Sequence, residues 1–235
     1  MSKSAKNIGS KTLEDFCESY DSVFSSIPIE DVIEFARLPD HAIEVLPSDI
    51  DLEEPGSHHS DFTVITKVAK SEGDLSAGYQ IWLETTVDED ALKMFHSLSR
   101  AYLKACNCAL DTVIFTKGKP ISKGFKEGSL EFEPKIINLT EQNYTDTSKR
   151  LESQAKAGEK INLLELVFLP LIGKKAKTTL EKAKKACAVI LICERDRQKR
   201  KKLASTLAYV SSKVLDPTDQ VELMERMIKL ALMDD

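Results

Sequence analysis

The sequence predicts an α/β fold in which a mixed sheet is flanked by helices and is followed by a helical C-terminal region. Apolar runs of strand length recur between residues 42 and 139. Between residues 79 and 116 the order is strand, long helix, strand, which is the order of a parallel crossover. From about residue 145 onward only helical patterns remain, so we predict two domains, residues 1–145 and residues 146–235.

The first part of the chain carries two helical patterns and then three strands. Apolar residues recur at helical spacing from Leu13 to Phe24. A second helix is predicted from Ile29 to Leu38, because Pro28 suits the start of a helix. A glycine-containing turn separates the last two strands, which predicts a hairpin. The three predicted strands are Ala42–Leu46, Asp61–Val68 and Tyr79–Glu84.

A long helix follows the third strand, because Asp88 is a good N-cap and further acids occupy the first turn. This helix is predicted to end near Cys108, before a buried strand from Asp111 to Thr116. Another strand is predicted from Leu130 to Leu139, after a turn rich in glycine and lysine. The remaining helices are predicted at Tyr144–Ala157, Leu163–Leu171, Thr178–Arg195, Lys199–Val214 and Asp219–Met233.

The composition limits the class of protein. The chain has 235 residues, 42% hydrophobic and 30% charged, which is typical of a globular protein. No apolar run approaches the roughly 20 residues of a membrane span, and no signal-like stretch opens the sequence, so we expect a cytoplasmic protein without membrane contact. The five cysteines favour reduced thiols over a disulfide framework. No phosphate-binding loop or dinucleotide fingerprint occurs, so no nucleotide cofactor is expected.

Two acids at the ends of neighbouring predicted strands are the main candidates for chemistry. Asp61 opens one strand and Glu84 closes the next. An acid at the end of a buried strand is costly unless something compensates its charge, and two carboxylates can share a hard ion such as Mg²⁺. The alternative is that each acid is only the polar rim of a strand facing water.

The order of these elements resembles a known family. Residues from about Leu13 to Met227 resemble the PD-(D/E)XK nuclease-like transposase family, the recombination-promoting nucleases. The resemblance implies a restriction-endonuclease-like core with a helical C-terminal region, a metal-dependent DNA endonuclease activity, and Asp61 and Glu84 as ligands of Mg²⁺ or Mn²⁺. The matching segments are Ser60–Val64, Ile81–Thr86, Arg100–Tyr102, Val113–Thr116 and Asn162–Val167.

The chain departs from the family at the position two residues after the glutamate. Thr86 stands there, where the family has a lysine or glutamine that orients water and stabilises charge on the phosphate. The replacement implies an activity that is weakened, lost, or rescued by a migrated group, for which Lys67 is a candidate. Glu14, Asp15 and Glu34 are candidates for a further acid. The alternative function is a non-catalytic relative that keeps the nuclease fold and binds DNA or a protein partner.

DNA is the expected partner, although the net charge of −5 means that any DNA surface must come from local clusters. Arg100 either contacts a phosphate or pairs with Glu89 or Asp90. His58 and His59 either join the metal site or form a solvated loop pair. Two basic clusters, residues 174–185 and 195–202, are expected to be exposed, either as a DNA face or as ordinary solvated helix faces. The DNA-binding candidates within them are Lys174, Lys175, Arg197 and Lys201.

Overall fold

The computed structural model describes residues 24, 26–38, 42–46, 62–66, 76–106, 108–174 and 178–232. The chain divides into two compact units. The strand unit is Ile29–Thr140, and the helical unit joins Met1–Pro28 to Glu141–Asp235. The predicted mixed α/β class with a helical C-terminal region is confirmed.

The strand unit contains a five-stranded mixed sheet and a small hairpin. In the sheet the order is β1-β2-β3-β4-β7, and β5 pairs with β6. The first three strands are antiparallel, whereas β4 runs parallel to both β3 and β7. The strands are β1 (Ala42–Leu46), β2 (Phe62–Thr66), β3 (Ser76–Glu84), β4 (Cys108–Thr116), β5 (Phe125–Glu127), β6 (Leu130–Phe132) and β7 (Lys135–Asn138).

Helix α2 (Glu89–Cys106) makes the crossover between β3 and β4. Its start is as predicted, because the Asp88 carboxylate accepts a hydrogen bond from the Ala91 amide at 2.9 Å. The rings of Phe95 on α2 and Trp82 on β3 lie 4.3 Å apart between centroids. Beside these rings, the side-chain amide of Gln80 donates a buried hydrogen bond to the Phe95 backbone carbonyl. This polar contact fixes α2 to one face of the sheet.

Helix α1 (Ile29–Ala36) also packs on a strand of the sheet. The Phe35 ring stacks on the Phe115 ring with 5.6 Å between centroids. Phe115 is fully buried, as are its strand neighbours Val113 and Ile114. The alternating side chains of β4 therefore make hydrophobic contacts on both faces of the sheet, as expected for a strand between two parallel neighbours.

The sequence prediction is wrong where the chain forms the small hairpin. A continuous strand was expected at Leu130–Leu139, but β6 ends at Phe132 and β7 begins at Lys135, with Pro134 between them. Proline lacks an amide hydrogen and interrupts a ladder. Strand β5 was not predicted. Its Phe125 packs with Phe132 against the core around Trp82, so the hairpin closes one side of that core.

The helical unit contains five α-helices within the part of the chain that the structure describes. Their predicted existence is confirmed, with boundaries shifted by up to three residues. Asn143, Asn162, Thr178 and Asp196 cap four of the amino-terminal ends through their side chains. The helices are α3 (Tyr144–Ala157), α4 (Leu163–Phe168), α5 (Thr179–Cys193), α6 (Arg197–Ser212) and α7 (Pro217–Leu232); a 3₁₀ turn, Leu169–Leu171, follows α4.

The core of the helical unit forms around α4, whose side chains from Leu164 to Phe168 are almost completely buried. Phe24, from the amino-terminal segment, packs edge-on against Phe168 and Tyr209, with centroids 6.4 and 6.0 Å apart. This contact makes Phe24 part of the core of the helical unit. The rest of the predicted helix Leu13–Phe24 lies outside the described residues.

Candidate functional site

The C-terminal ends of the parallel strands β3 and β4 form the first candidate site. Glu84 is the last residue of β3, and its register partner on β4 is Thr116. Lys117 follows Thr116 directly, so the backbones of Glu84 and Lys117 are neighbours at this edge. Strand β2 is antiparallel to β3 and begins here as well, since Phe62 pairs with Ile81. The carboxyl ends of parallel strands are a common place for ligand sites in open sheets.

The loop after β4 is held against the segment that follows Glu84. The amides of Ile121 and Ser122 both donate to the Val87 carbonyl, at 2.8 and 3.2 Å. A Cβ placed on Gly118 would lie 3.5 Å from the Thr85 carbonyl oxygen, so the two backbones run close together there. We call residues 117–124 the edge loop. Its fixed position keeps the residues after β4 beside the end of β3.

The side chains at this edge differ in exposure. Glu84 is half-buried, and Thr86 is exposed. Lys117 is half-buried, and burial lowers the pKa of its ammonium group. The edge loop adds two exposed lysines, Lys119 and Lys123, so the described residues at this end of the sheet include Glu84 and three lysines.

Lys117 is the residue that the sequence prediction missed. A lysine after a buried strand is an ordinary sequence signal, and only the register of β4 with β3 places it next to Glu84. The other candidate cation, Lys67, lies outside the described residues, so the structure offers Lys117 in its place. Thr86 itself supplies a hydroxyl but no charge.

Only some of the predicted metal ligands are among the described residues. Within these residues no group of three or more His, Cys, Asp or Glu side chains could hold a metal ion. Glu84 is the one predicted ligand among them, and its carboxylate suits a hard divalent ion. Glu34 is exposed on α1. Asp61, His58, His59, Glu14 and Asp15 lie outside the described residues.

Arg100 lies in a different place from Glu84. It lines a cleft of about 620 Å³ together with Tyr79 on β3 and Asp111 on β4. Tyr79 precedes Glu84 by five residues, which is about 17 Å along a strand. The carboxylate of Glu89 pairs with Lys93 at 2.9 Å. Of the two acids with which Arg100 was predicted to pair, Glu89 and Asp90, the first is therefore occupied by Lys93, and the predicted phosphate contact of Arg100 stays a prediction.

The basic cluster at residues 174–185 is largely used within the chain, whereas the cluster at residues 195–202 is mostly exposed, as predicted. The prediction of exposure is wrong for Lys182, which is 4% exposed, and for Arg200, which is 6% exposed. Lys184 pairs with Glu222, and Lys185 pairs with Glu152. Because Lys182, Lys184 and Lys185 lie inside the unit or neutralise acids, the first cluster does not form a continuous DNA face.

The remaining DNA-binding candidates differ in exposure. Lys174 and Arg197 are exposed, and Lys201 is half-buried. Lys175 lies outside the described residues. Arg197 and Lys201 lie four residues apart on α6, and Lys199 and Lys202 beside them are also exposed, so this cluster keeps a basic helix surface.

A comparison of the chain with protein-family models, with curated proteins and with solved structures finds no match. In the described part of the chain, no helix has the length and the apolar character needed to cross a membrane.

Proposed function

We propose that the chain is a metal-dependent DNA endonuclease-like protein that hydrolyses phosphodiester bonds at the Glu84 end of the sheet. One observation carries the proposal. The strand unit runs helix, three antiparallel strands, crossover helix and parallel strand, and a carboxylate ends the third strand beside a half-buried lysine. This is the order expected from the family that the sequence resembles, with the acid at the expected strand end.

The predicted metal ligands fit the role in their chemistry. Asp61 and Glu84 would hold a Mg²⁺ or Mn²⁺ ion, because carboxylate oxygens are the ligands that such ions prefer. When bound, the ion would supply Lewis-acid stabilisation of charge on the phosphate. The chain's own contribution in the described residues is to place Glu84 on a rigid strand and to fix the edge loop beside it.

Lys117 takes the role that Thr86 leaves open. Phosphodiester hydrolysis adds water to phosphorus, breaks one P–O ester bond and transfers a proton to the leaving oxygen. Negative charge grows on the phosphate oxygens during this reaction, and a fixed ammonium group beside them lowers its cost. A half-buried lysine suits this task better than the exposed Lys119 or Lys123, because a less hydrated charge interacts more strongly.

The test is cleavage of supercoiled plasmid DNA with Mg²⁺ or Mn²⁺. We expect Glu84→Gln to lower the rate by about a hundredfold or more, since it removes an ionised ligand without changing size. Lys117→Met should lower the rate by about ten- to a hundredfold, since it keeps the aliphatic stem and removes the charge. Glu159→Gln and Lys149→Met are the matched controls, both exposed in the helical unit, and should cleave like the wild type.

Cleavage that is equally fast in the wild type and in Glu84→Gln would reject this site. Equal cleavage rates in Lys117→Met and Lys149→Met would reject only the proposed role of Lys117. The proposed role of Glu84 as a metal ligand would still stand. We propose DNA as the partner on the same reasoning, and the cleavage assay uses that substrate directly.

The second candidate is a non-catalytic relative that binds DNA or a protein. Thr86 favours this candidate, because its hydroxyl cannot perform the task of the charged or amide group that the family has at this position. This candidate predicts no cleavage with either metal ion in the wild type, and DNA binding that is equal in the wild type and in Glu84→Gln.

A further inference from the structure

The cleft of about 620 Å³ lies beside an open stretch of the sheet edge. Strand β7 pairs with β4 only from Val113 to Thr116. On that side the preceding residues of β4, Cys108–Thr112, have no partner among the described strands. The hairpin strand β6 and the start of β7 form one wall, and α2 forms another. The cleft therefore lies entirely within the strand unit.

Like charges are placed next to each other on two walls of this cleft. Lys135 and Arg37 lie close enough that burial and the Arg37 guanidinium lower the pKa of the Lys135 ammonium. On α2, burial and the Arg100 guanidinium lower the pKa of the His96 imidazole. Neighbouring like charges disfavour the charged forms and weaken the fold unless an opposite charge joins them. In the described part of the chain Arg37, Arg100 and Lys135 form no ion pair with a carboxylate.

Arg37 ends α1 in a left-handed cap, in which its amide donates to the Glu34 carbonyl at 3.2 Å and the Leu38 amide donates to the Ile33 carbonyl at 2.9 Å. Its φ is 52°, in the left-handed region that side chains other than glycine rarely adopt. The Lys135 ammonium donates to the Arg37 carbonyl at 2.7 Å, which ties the two cations to the same wall. The end of the helix therefore accounts for the backbone of Arg37, and the hydrogen bond to its carbonyl keeps Lys135 beside it on the cleft wall.

Acids and aromatic rings complete the lining. Of the three carboxylates, Glu131 is paired with Lys126 at 3.4 Å, and Asp111 lies by Tyr79, whose pKa is raised by burial and by that carboxylate. Glu133 is the third, and it is exposed. The imidazole of His96 meets the Phe132 ring edge-on at 5.1 Å. Rings beside cations suit a ligand with both an anionic and a flat apolar part.

We propose that this cleft binds a phosphate group, as a monoester or a diester, through Arg37, Arg100 and Lys135. Guanidinium groups match phosphate oxygens with paired donors, and a lysine adds a point charge. The bound anion would relieve the repulsion on both walls at once. This inference goes beyond the proposed nuclease function, because none of these residues lies at the Glu84 end of the sheet.

The test is binding with EDTA present, so that a failure of the metal site cannot affect it. The probes are inorganic phosphate, adenosine monophosphate and a short labelled single strand of DNA. Binding of any of them should raise the pKa of His96, followed by NMR and assigned from its loss in His96→Gln, because an anion favours the imidazolium form. Arg100→Gln should weaken binding about tenfold or more, which corresponds to about 1.4 kcal/mol.

Arg37→Gly separates binding from folding. Glycine adopts a φ of 52° without strain, so this variant should bind about tenfold more weakly and should unfold at the same temperature as the wild type or higher. Arg226→Gln, an exposed arginine of the helical unit, is the matched control and should bind like the wild type.

The probes also distinguish the source of the phosphate. Tight binding of phosphate or of the mononucleotide identifies a small-molecule site. Binding of the strand alone, with a salt dependence that is weaker in Arg100→Gln, identifies a nucleic-acid backbone site. If no probe binds, or if Arg37→Gly and Arg100→Gln bind every probe like Arg226→Gln, the proposal is wrong.

Discussion

Gly173 follows the turn at Leu169–Leu171 with φ of 72°, where other residues are strained. A Cβ at this position would lie 2.9 Å from the Cβ of Tyr144 and 3.2 Å from its amide nitrogen. Gly158 ends α3 with nearly the same conformation, φ of 70°, but a Cβ there meets nothing within 4 Å. The pair therefore separates backbone strain from steric contact.

We expect Gly158→Ala to lower the free energy of unfolding by about 1 kcal/mol, from strain alone. Gly173→Ala should lower it by about 1 to 3 kcal/mol more, because Tyr144 or the backbone must move. Urea denaturation followed by circular dichroism measures both changes. Equal losses in the two variants would contradict the close approach of Gly173 to Tyr144.

Single residues also show where sequence reasoning stops. Glu84 could be predicted because a strand-terminal acid is visible in the sequence itself. Lys117 could not, because its meaning depends on which residue of β3 pairs with Thr116, and no local pattern encodes a parallel register. The same is true of Arg37 and Lys135, which are 98 residues apart and are joined by a hydrogen bond.

At the scale of elements, helix α5 shows why a run of lysines is not a surface. Lys182 lies on the buried side of α5, next to Ala183, and its ammonium donates to the carbonyls of Ile172 and Gly173 at 2.6 and 2.9 Å. These two carbonyls directly follow the 3₁₀ turn, where backbone acceptors lack helical partners. The Tyr144 ring lies 5.0 Å from the same ammonium. Lys182 thus connects three elements of the helical unit.

Lys182→Met should lower the free energy of unfolding by about 1 to 3 kcal/mol, since it keeps the stem but leaves buried carbonyls without a donor. Lys174→Met is the control, because Lys174 is exposed, and its effect should stay within about 0.5 kcal/mol. Thermal or urea unfolding measures the difference. Two variants of equal stability would show that the contacts of Lys182 contribute nothing to the fold.

The sequence predicts correctly the elements whose apolar pattern extends over many residues, and it misses those whose pattern is only a few residues long. Helices of fourteen to sixteen residues, such as α3 and α6, carry several turns of pattern and recognisable caps. Strands β5 and β6 have three residues each, too few for an alternating pattern to stand out. They form because Phe125 and Phe132 reach the core around Trp82, which is a tertiary contact.

For the whole molecule, two features of the strand unit separate the possible functions. The Glu84 end of the sheet carries the proposed hydrolytic site, and the cleft at Arg37, Arg100 and Lys135 carries the proposed phosphate site. They are tested by different ligands, a divalent ion and a phosphate. The net charge of −5 predicts neither site, because each site depends on which few charged side chains the fold brings together.

Binding of Mn²⁺ shows whether Glu84 holds a divalent ion. Electron paramagnetic resonance of free Mn²⁺ gives the affinity of the full chain without any need for cleavage. We expect Glu84→Gln to bind Mn²⁺ at least about tenfold more weakly than the wild type, a loss of about 1.4 kcal/mol, whereas Glu159→Gln should bind it equally. Equal affinity in the wild type, Glu84→Gln and Glu159→Gln would show that Glu84 is not a ligand of the ion.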